Sequence, residues 1–131
     1  MSISFQNALG IHEKAVGVRV QRAEVLANNL VNADTPGFKS RDLDFKAILK
    51  GAAEDSMAMT ATHEGHFGSA QASEDSGDLL YRNPSQPSID GNTVDSQVEI
   101  AEYLKNSMDY QASFQFLNNK FKGLTAAIRG E

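Results

Sequence analysis

The chain has 131 residues, a formal charge of -5, and neither cysteine nor tryptophan. Its 12 Lys and Arg are scattered among 17 Asp and Glu, with a pI near 5.1, so no basic face is available for phosphates and nucleic acid is not expected as a partner. Missing thiols exclude disulfides, thiolate metal sites and cysteine nucleophiles, while 7 Phe, 3 Tyr and a mean hydropathy of -0.38 are lean provision for a large self-contained core. Met1–Asn7 lacks the basic and apolar regions of a secretory signal, and no stretch approaches the roughly 20 apolar residues of a membrane span. The expectation is a chain that does not span a membrane and that, if exported, does not use a cleaved signal.

From about Ser4 to Val31 the pattern is helical, interrupted by Gly10 and Gly17. Ile11, Ala15, Val18 and Val25 form one apolar stripe, and Val16, Val20, Ala23, Ala27 and Leu30 a second on another side. A surface helix of a small monomer needs one stripe, so two point to burial between several neighbours. The two glycines are placed to admit a close helix neighbour. The helix stops in Asn28-Asn29-Leu30-Val31-Asn32-Ala33-Asp34-Thr35-Pro36-Gly37-Phe38. Asn32 suits a left-handed cap, Thr35 is held extended by the proline, and Pro36-Gly37 suits the centre of a type II turn. Asparagine is a mediocre helix former, so Asn28 and Asn29 inside the helix are expected to serve a contact.

Residues 39–50 read as a short helix offering Leu43, Phe45, Ile48 and Leu49 to the long helices, with a strand through Leu43 and Phe45 as the alternative. Residues 51–91 are rich in Gly, Ala, Ser, Asp and Pro, and their few large apolar groups cannot offset the entropy of ordering the segment alone. An extended or hairpin-like arm is expected there. His63-Glu-Gly-His66 has its histidines at i and i+3 across a glycine, not at i and i+4 on a helix, and reads as loop chemistry ahead of a metal site. Asp90–Asp95 lacks the ligands of a calcium loop at its fifth, sixth and twelfth positions and reads as a turn into the next helix.

Residues 92–131 carry the cleanest periodicity. Ile100, Tyr103, Ser107, Tyr110, Phe114, Leu117, Phe121, Leu124 and Ile128 recur at alternating spacings of three and four, a coiled-coil seam sustained for about four heptads. Ser96 with Glu99 is placed as a capping box beside Asp95, and Arg129-Gly130 suits the far end. No nucleophile constellation, phosphate loop or carboxylate pair stands out, so no enzyme activity, cofactor or small-molecule substrate is expected.

The Asn-rich run ending in Thr35-Pro36-Gly37-Phe38 resembles the N-terminal signature of the bacterial flagellar axial proteins, the family of rod, hook and hook-associated subunits. Tyr81–Asp95 followed by Glu99, the segment Arg41–Phe45, the Thr62-His63 neighbourhood and the chain length resemble the proximal-rod branch of that family, with Ile100 where methionine is usual. The resemblance implies a mainly α fold: long N- and C-terminal helices as an antiparallel, coiled-coil-like pair, a short helix and an extended or hairpin-like middle arm. It implies a rod subunit in the basal body within the periplasm, exported unfolded by the flagellar type III apparatus and transmitting torque. Its partners would be copies of itself, other rod proteins and adaptor proteins. The seam would zip onto one stripe of the N-terminal helix, leaving the other for adjacent subunits. Asn28, Asn29, Leu30, Asn32, Thr35, Pro36, Gly37 and Phe38 would join the seam residues Ile100, Tyr103, Tyr110, Phe114, Leu117, Phe121, Leu124 and Ile128 as the subunit interface. The competing readings are another rod protein of the family, a soluble coiled-coil adaptor or export chaperone that dimerises through the same heptads, and a metal enzyme using His63 and His66.

Overall fold

The computed structural model describes residues 8–56, 79–84 and 88–130. Helix α1 (Ile11–Val31) is followed by strand β1 (Arg41–Leu43), helix α2 (Phe45–Ser56), strand β2 (Leu79–Tyr81) and helix α3 (Ser96–Arg129). The fold is mainly helical, and its long N- and C-terminal helices pack antiparallel. Asn29 meets Glu99, Arg19 meets Asn106, and His12 stacks at a tilt on Phe116 with ring centroids 6.2 Å apart. As one index rises, the other falls.

Each helix boundary has a local cause. Gly10 stands at the N-cap of α1 with φ +58, a conformation glycine adopts without cost. Gly17 is exposed, and a Cβ built on it would meet nothing within 4 Å, so among the described residues neither glycine marks a close approach. Asn32 does cap α1, but with φ -97, right-handed where a left-handed residue was expected. The positive φ falls on Gly37 at +73, in a type II turn closed by Phe38 N–H to Thr35 O at 3.3 Å. On α3 the cap is Asp95, whose carboxylate accepts from the N–H of Gln97 at 3.0 Å and of Val98 at 3.4 Å. The expected Ser96–Glu99 box does not form, because Glu99 is drawn into the interior. Gly130 ends α3 in the left-handed region, its N–H on Ala126 O.

The segment expected as one short helix over 39–50 is divided. Residues 41–43 pair antiparallel with β2, matching Arg41 to Tyr81, Asp42 to Leu80 and Leu43 to Leu79. Only then does α2 start: Asp44 accepts the Ala47 N–H at 3.0 Å, a side-chain cap that fixes the boundary. The helix runs on to Ser56, past the limit expected from sequence. The strand pair joins the start and the end of the middle segment; residues 57–78, with most of the expected arm and with His63 and His66, lie outside the described residues.

Among the described residues the buried apolar set is Leu9, Ala15, Val18, Leu26 and Leu43, and an equally long buried polar set accompanies it: Asn29, Ser40, Asn92, Glu99 and Asn106. The interior is therefore fixed by hydrogen bonding as much as by apolar packing.

Candidate functional site

At the α1 terminus two loops lock together. Asn92, 6% exposed, aims its amide N–H groups at the carbonyls of Asn32 (3.2 Å), Ala33 (2.7 Å) and Thr35 (3.0 Å), satisfying oxygens that the end of α1 leaves without helical partners. Gly37 N–H donates to Asp90 O and Thr93 N–H to Phe38 O, both at 3.0 Å, so the 35–40 loop and the lead-in to α3 run as a short ladder. Thr93 Oγ1 also accepts the Ser40 N–H at 2.9 Å, and Lys39 Nζ reaches Gly91 O at 2.6 Å. Gly37 and Gly91 face each other, a Cβ on Gly91 standing 3.9 Å from the Gly37 Cα.

Next to this junction lies an ionic cluster that ties α1, β1, the exit of β2 and α3. Arg22 grips Asp42 with two bonds of 2.8 Å and reaches Glu102 at 2.9 Å. Arg82 bridges Asp42 at 2.6 Å and Glu99 at 2.8 Å. Asn29, 1% exposed, donates to Arg41 O at 2.7 Å and to Glu99 at 3.2 Å, and accepts the Arg41 N–H at 3.1 Å. One side chain thereby fastens α1 to both β1 and α3. Burial raises the pKa of Asp42, but hydrogen bonds from Arg22 and Arg82 outweigh it and hold the carboxyl below its ordinary range. Burial pushes the Glu99 carboxyl above its range, against the opposing pull of Asn29 and Arg82. The bond to Asp42 raises the Arg22 pKa, whereas burial lowers that of Arg19 despite Asp109 at 3.1 Å. Arg19 lays its guanidinium 3.7 Å over the Phe45 ring and accepts at its backbone oxygen the Asn106 amide at 2.9 Å.

The face that α3 turns to α1 is thus Glu99, Glu102, Asn106 and Asp109, spaced three, four and three. This polar heptad stands roughly a quarter turn from the apolar seam. The seam does not zip onto α1: Ile100 is 47% exposed, Tyr103 43%, Phe114 54%, Phe121 43% and Ile128 86%, with Tyr110, Leu117 and Leu124 partly covered. Charged and amide groups on both helices have found each other, and turning α3 to bury the seam would strand them without water or partners. On α1 the first stripe is inward through Ala15 and Val18, while Val20 (44%) and Leu30 (37%) of the second remain exposed. The two uncovered rows lie side by side. Between them runs a groove of about 200 Å³ lined by Arg19, Val20, Ala23, Tyr103, Asn106, Ser107 and Tyr110.

The residues read from sequence as interface fall into two sets. Asn29 is spent on contacts within the chain, and the Asn28 oxygens accept from Asn32. Asn32, Thr35, Gly37 and Phe38 use their backbones, with Asn32 and Thr35 side chains at 3.2 Å, to build the junction; Pro36 is exposed at its tip. Leu30 and the seam residues instead line the open face. Sequence reasoning missed Arg19, Arg22, Asp42, Arg82, Asn92 and Asn106. The signal that finds the α3 set is the second heptad alongside the seam, matched by Arg19, Arg22 and Asn29 on α1.

Among the described residues no helix is long and apolar enough to cross a membrane. The family model for the flagella basal body rod protein matches residues 18–39, which hold the end of α1 and the type II turn. The flagellar basal body rod protein FlgB of Aeromonas hydrophila is 50% identical, covering 100% of this chain and 99% of its own. FlgB of Escherichia coli K12 is 41% identical over 93% of both chains, and that of Salmonella typhimurium LT2 is 40% identical over 94% of both. With an Asn-anchored junction, a long C-terminal helix and relatives matched over nearly the whole of both chains, the chain belongs to the FlgB family of flagellar basal-body rod proteins.

Proposed function

We propose that the chain is a structural subunit of the flagellar basal-body rod that builds in by laying the open apolar face of α1 and α3 against neighbouring copies and other rod proteins, without turning over a substrate. The observation that carries this reading is the uncovered seam on a helix of 34 residues, about 50 Å long. A row of that length on a lone small protein is a liability in water; on a building unit it is the place where the next unit sits. The junction and the ionic cluster give the unit its shape beforehand, so that load entering one helix passes to the other through charge-assisted bonds. In this reading the subunit works in the periplasm, reaches it through the flagellar type III apparatus, and stands among rod proteins and the adaptor proteins beneath them. Leu30, Pro36 and the seam residues are the contacts with neighbours, and the remaining junction residues set their position.

The test replaces Phe114 and Phe121 with alanine together. Basal bodies purified from cells relying on this variant should lack a complete rod, while the chain is still exported, because export requires no finished fold. Complete rods in such cells would remove the seam from assembly.

A further inference from the structure

The ionic cluster between α1, β1 and α3 carries one negative charge more than its cations balance. Three carboxylates, Asp42, Glu99 and Glu102, share two guanidinium groups, those of Arg22 and Arg82. Their shares are unequal. Asp42 takes two bonds from Arg22 and one from Arg82, together with the Leu43 N–H at 2.8 Å. Glu102 takes one bond from Arg22 and keeps contact with water, its side chain 29% exposed. Glu99 is 2% exposed, and among the described residues a single cation reaches it: Arg82 Nη1 lies 2.8 Å from Oε1, while Oε2 accepts from the neutral Asn29 amide. The charged groups around Glu99 are therefore Arg22 from α1, Asp42 from β1, Arg82 beyond β2 and Glu102 from its own helix. The Arg41 guanidinium lies over the Tyr81 ring instead, 5.4 Å from its centroid. A proton entering this cluster removes the surplus charge, and it settles on the carboxylate with least water and fewest cations. Burial, ahead of the opposing pull of Asn29 and Arg82, holds the Glu99 carboxyl above the ordinary glutamate value of 4.5. Asp42, held below its ordinary range, does not compete for that proton.

We infer that Glu99 is a proton-operated latch: ionised, it shares Arg82 with Asp42 and ties the exit of β2 to α3, and on taking up a proton it gives Arg82 over to Asp42 and releases that exit while α1 and α3 stay docked. Helix pairing survives because it rests on other bonds. Arg22 still spans Asp42 and Glu102, Asn106 still donates to the Arg19 backbone oxygen, and Arg19 still meets Asp109. What loosens is the position of Arg82, whose backbone N–H donates to Ser40 O at 3.0 Å. The latch lies within one chain and does not depend on the rod-subunit reading.

The full chain, labelled with carbon-13 and nitrogen-15, is titrated by NMR, the Glu99 carboxyl signal being identified by its loss in Glu99→Gln. That signal should titrate with a midpoint above 4.5. Over the same step the protection of the Arg82 N–H against exchange, corrected for the intrinsic effect of pH, should fall about tenfold, the weight of one charge-assisted hydrogen bond. Protection of Leu26 in α1 should hold or rise. Glu99→Gln, which keeps the shape and removes the charge, should show the low Arg82 protection at every pH. Glu102→Gln, which removes the surplus charge, should move the Glu99 midpoint to lower pH. A Glu99 midpoint at or below the ordinary value, an Arg82 N–H blind to the step, an equal loss at Leu26, or a midpoint unmoved by Glu102→Gln overturns the latch. So does a chain without a folded spectrum in dilute buffer, since the latch requires Asp42, Arg82 and Glu99 to be assembled within one copy.

Discussion

The junction and the shaft of this molecule solve opposite problems. Around Asn29, Asn92, Asp42 and Glu99 nearly every polar group has a partner within the chain, and the arrangement is finished. Along the shaft, from Tyr103 to Ile128, aromatic and aliphatic side chains stand exposed and the arrangement is left open. Polar groups need specific geometry and lose much when half satisfied, so they belong where one chain controls every partner. Apolar surface needs only cover of the right shape, so it can wait for a neighbour. The difference teaches that the buried polar stripe on α3 is also what keeps the apolar seam facing outward.

The sharpest way to break the junction is Asp42→Ala. It leaves Arg22 and Arg82 facing each other around an empty anion site, and the isolated chain should lose about 3 kcal/mol, read as a lowered urea midpoint with an unchanged slope. Asn92→Ala comes next. Three carbonyls at the end of α1 lose the Asn92 amide, Asn32 O and Thr35 O keeping only a backbone N–H, and a loss of about 2 kcal/mol is expected, with amide exchange quickening first in residues 30–40. If both variants unfold at the parent midpoint, the junction is not the finished part of the fold.

Acid titration separates the two carboxylates at the centre of the cluster. Asp42 titrates below its ordinary range when folded, so as pH falls through the usual carboxylate range the unfolded chain takes up the proton first and stability drops. Glu99 titrates above its range; there the folded chain binds the proton first, and stability rises as pH falls. Asp42→Asn should therefore flatten the acid loss between about pH 6 and 3, and Glu99→Gln should steepen it, each measured as the urea midpoint against pH. The reverse pattern would show that the cluster is not formed in solution.

The smallest effect on the isolated chain should come from Phe114→Ala. With the ring 54% exposed, its loss should move stability by only about 0.5 kcal/mol. A loss of several kcal/mol in a verified monomer would mean that the shaft is covered from within, and the contrast with the junction would disappear.

Much of the fold was legible in sequence, for reasons that are local or periodic. The type II turn needed Pro36 and Gly37, and the left-handed end of α3 needed Gly130, because φ at those positions is set by the residue itself. Both long helices followed from apolar spacing. Other elements went to a second reading, or to none foreseen, where a distant partner decided the outcome. Arg41–Leu43 is a strand, the alternative to a helix there, because β2 pairs with it; Glu99 left the helix cap because Asn29 and Arg82 reach it from elsewhere. The seam was expected both to zip onto α1 and to serve the subunit interface, and the first expectation followed the sound rule that apolar rows seek cover. That rule lost to the cost of leaving Arg19, Arg22, Glu99 and Asn106 unpaired, a cost that depends on which side chains meet across 70 to 87 positions of chain.

The sequence by itself determined two long helices, a stop at Thr35–Phe38, a seam too long for a small globule and a family signature, since each of these is written in neighbouring residues or in a repeat. Tertiary structure alone decided which face of α3 turns inward, that Asn29 and Asn92 are joints within the chain, and that a groove opens between the two helices. Those depend on hydrogen bonds and ion pairs between residues far apart in sequence, whose geometry exists only once the helices have docked.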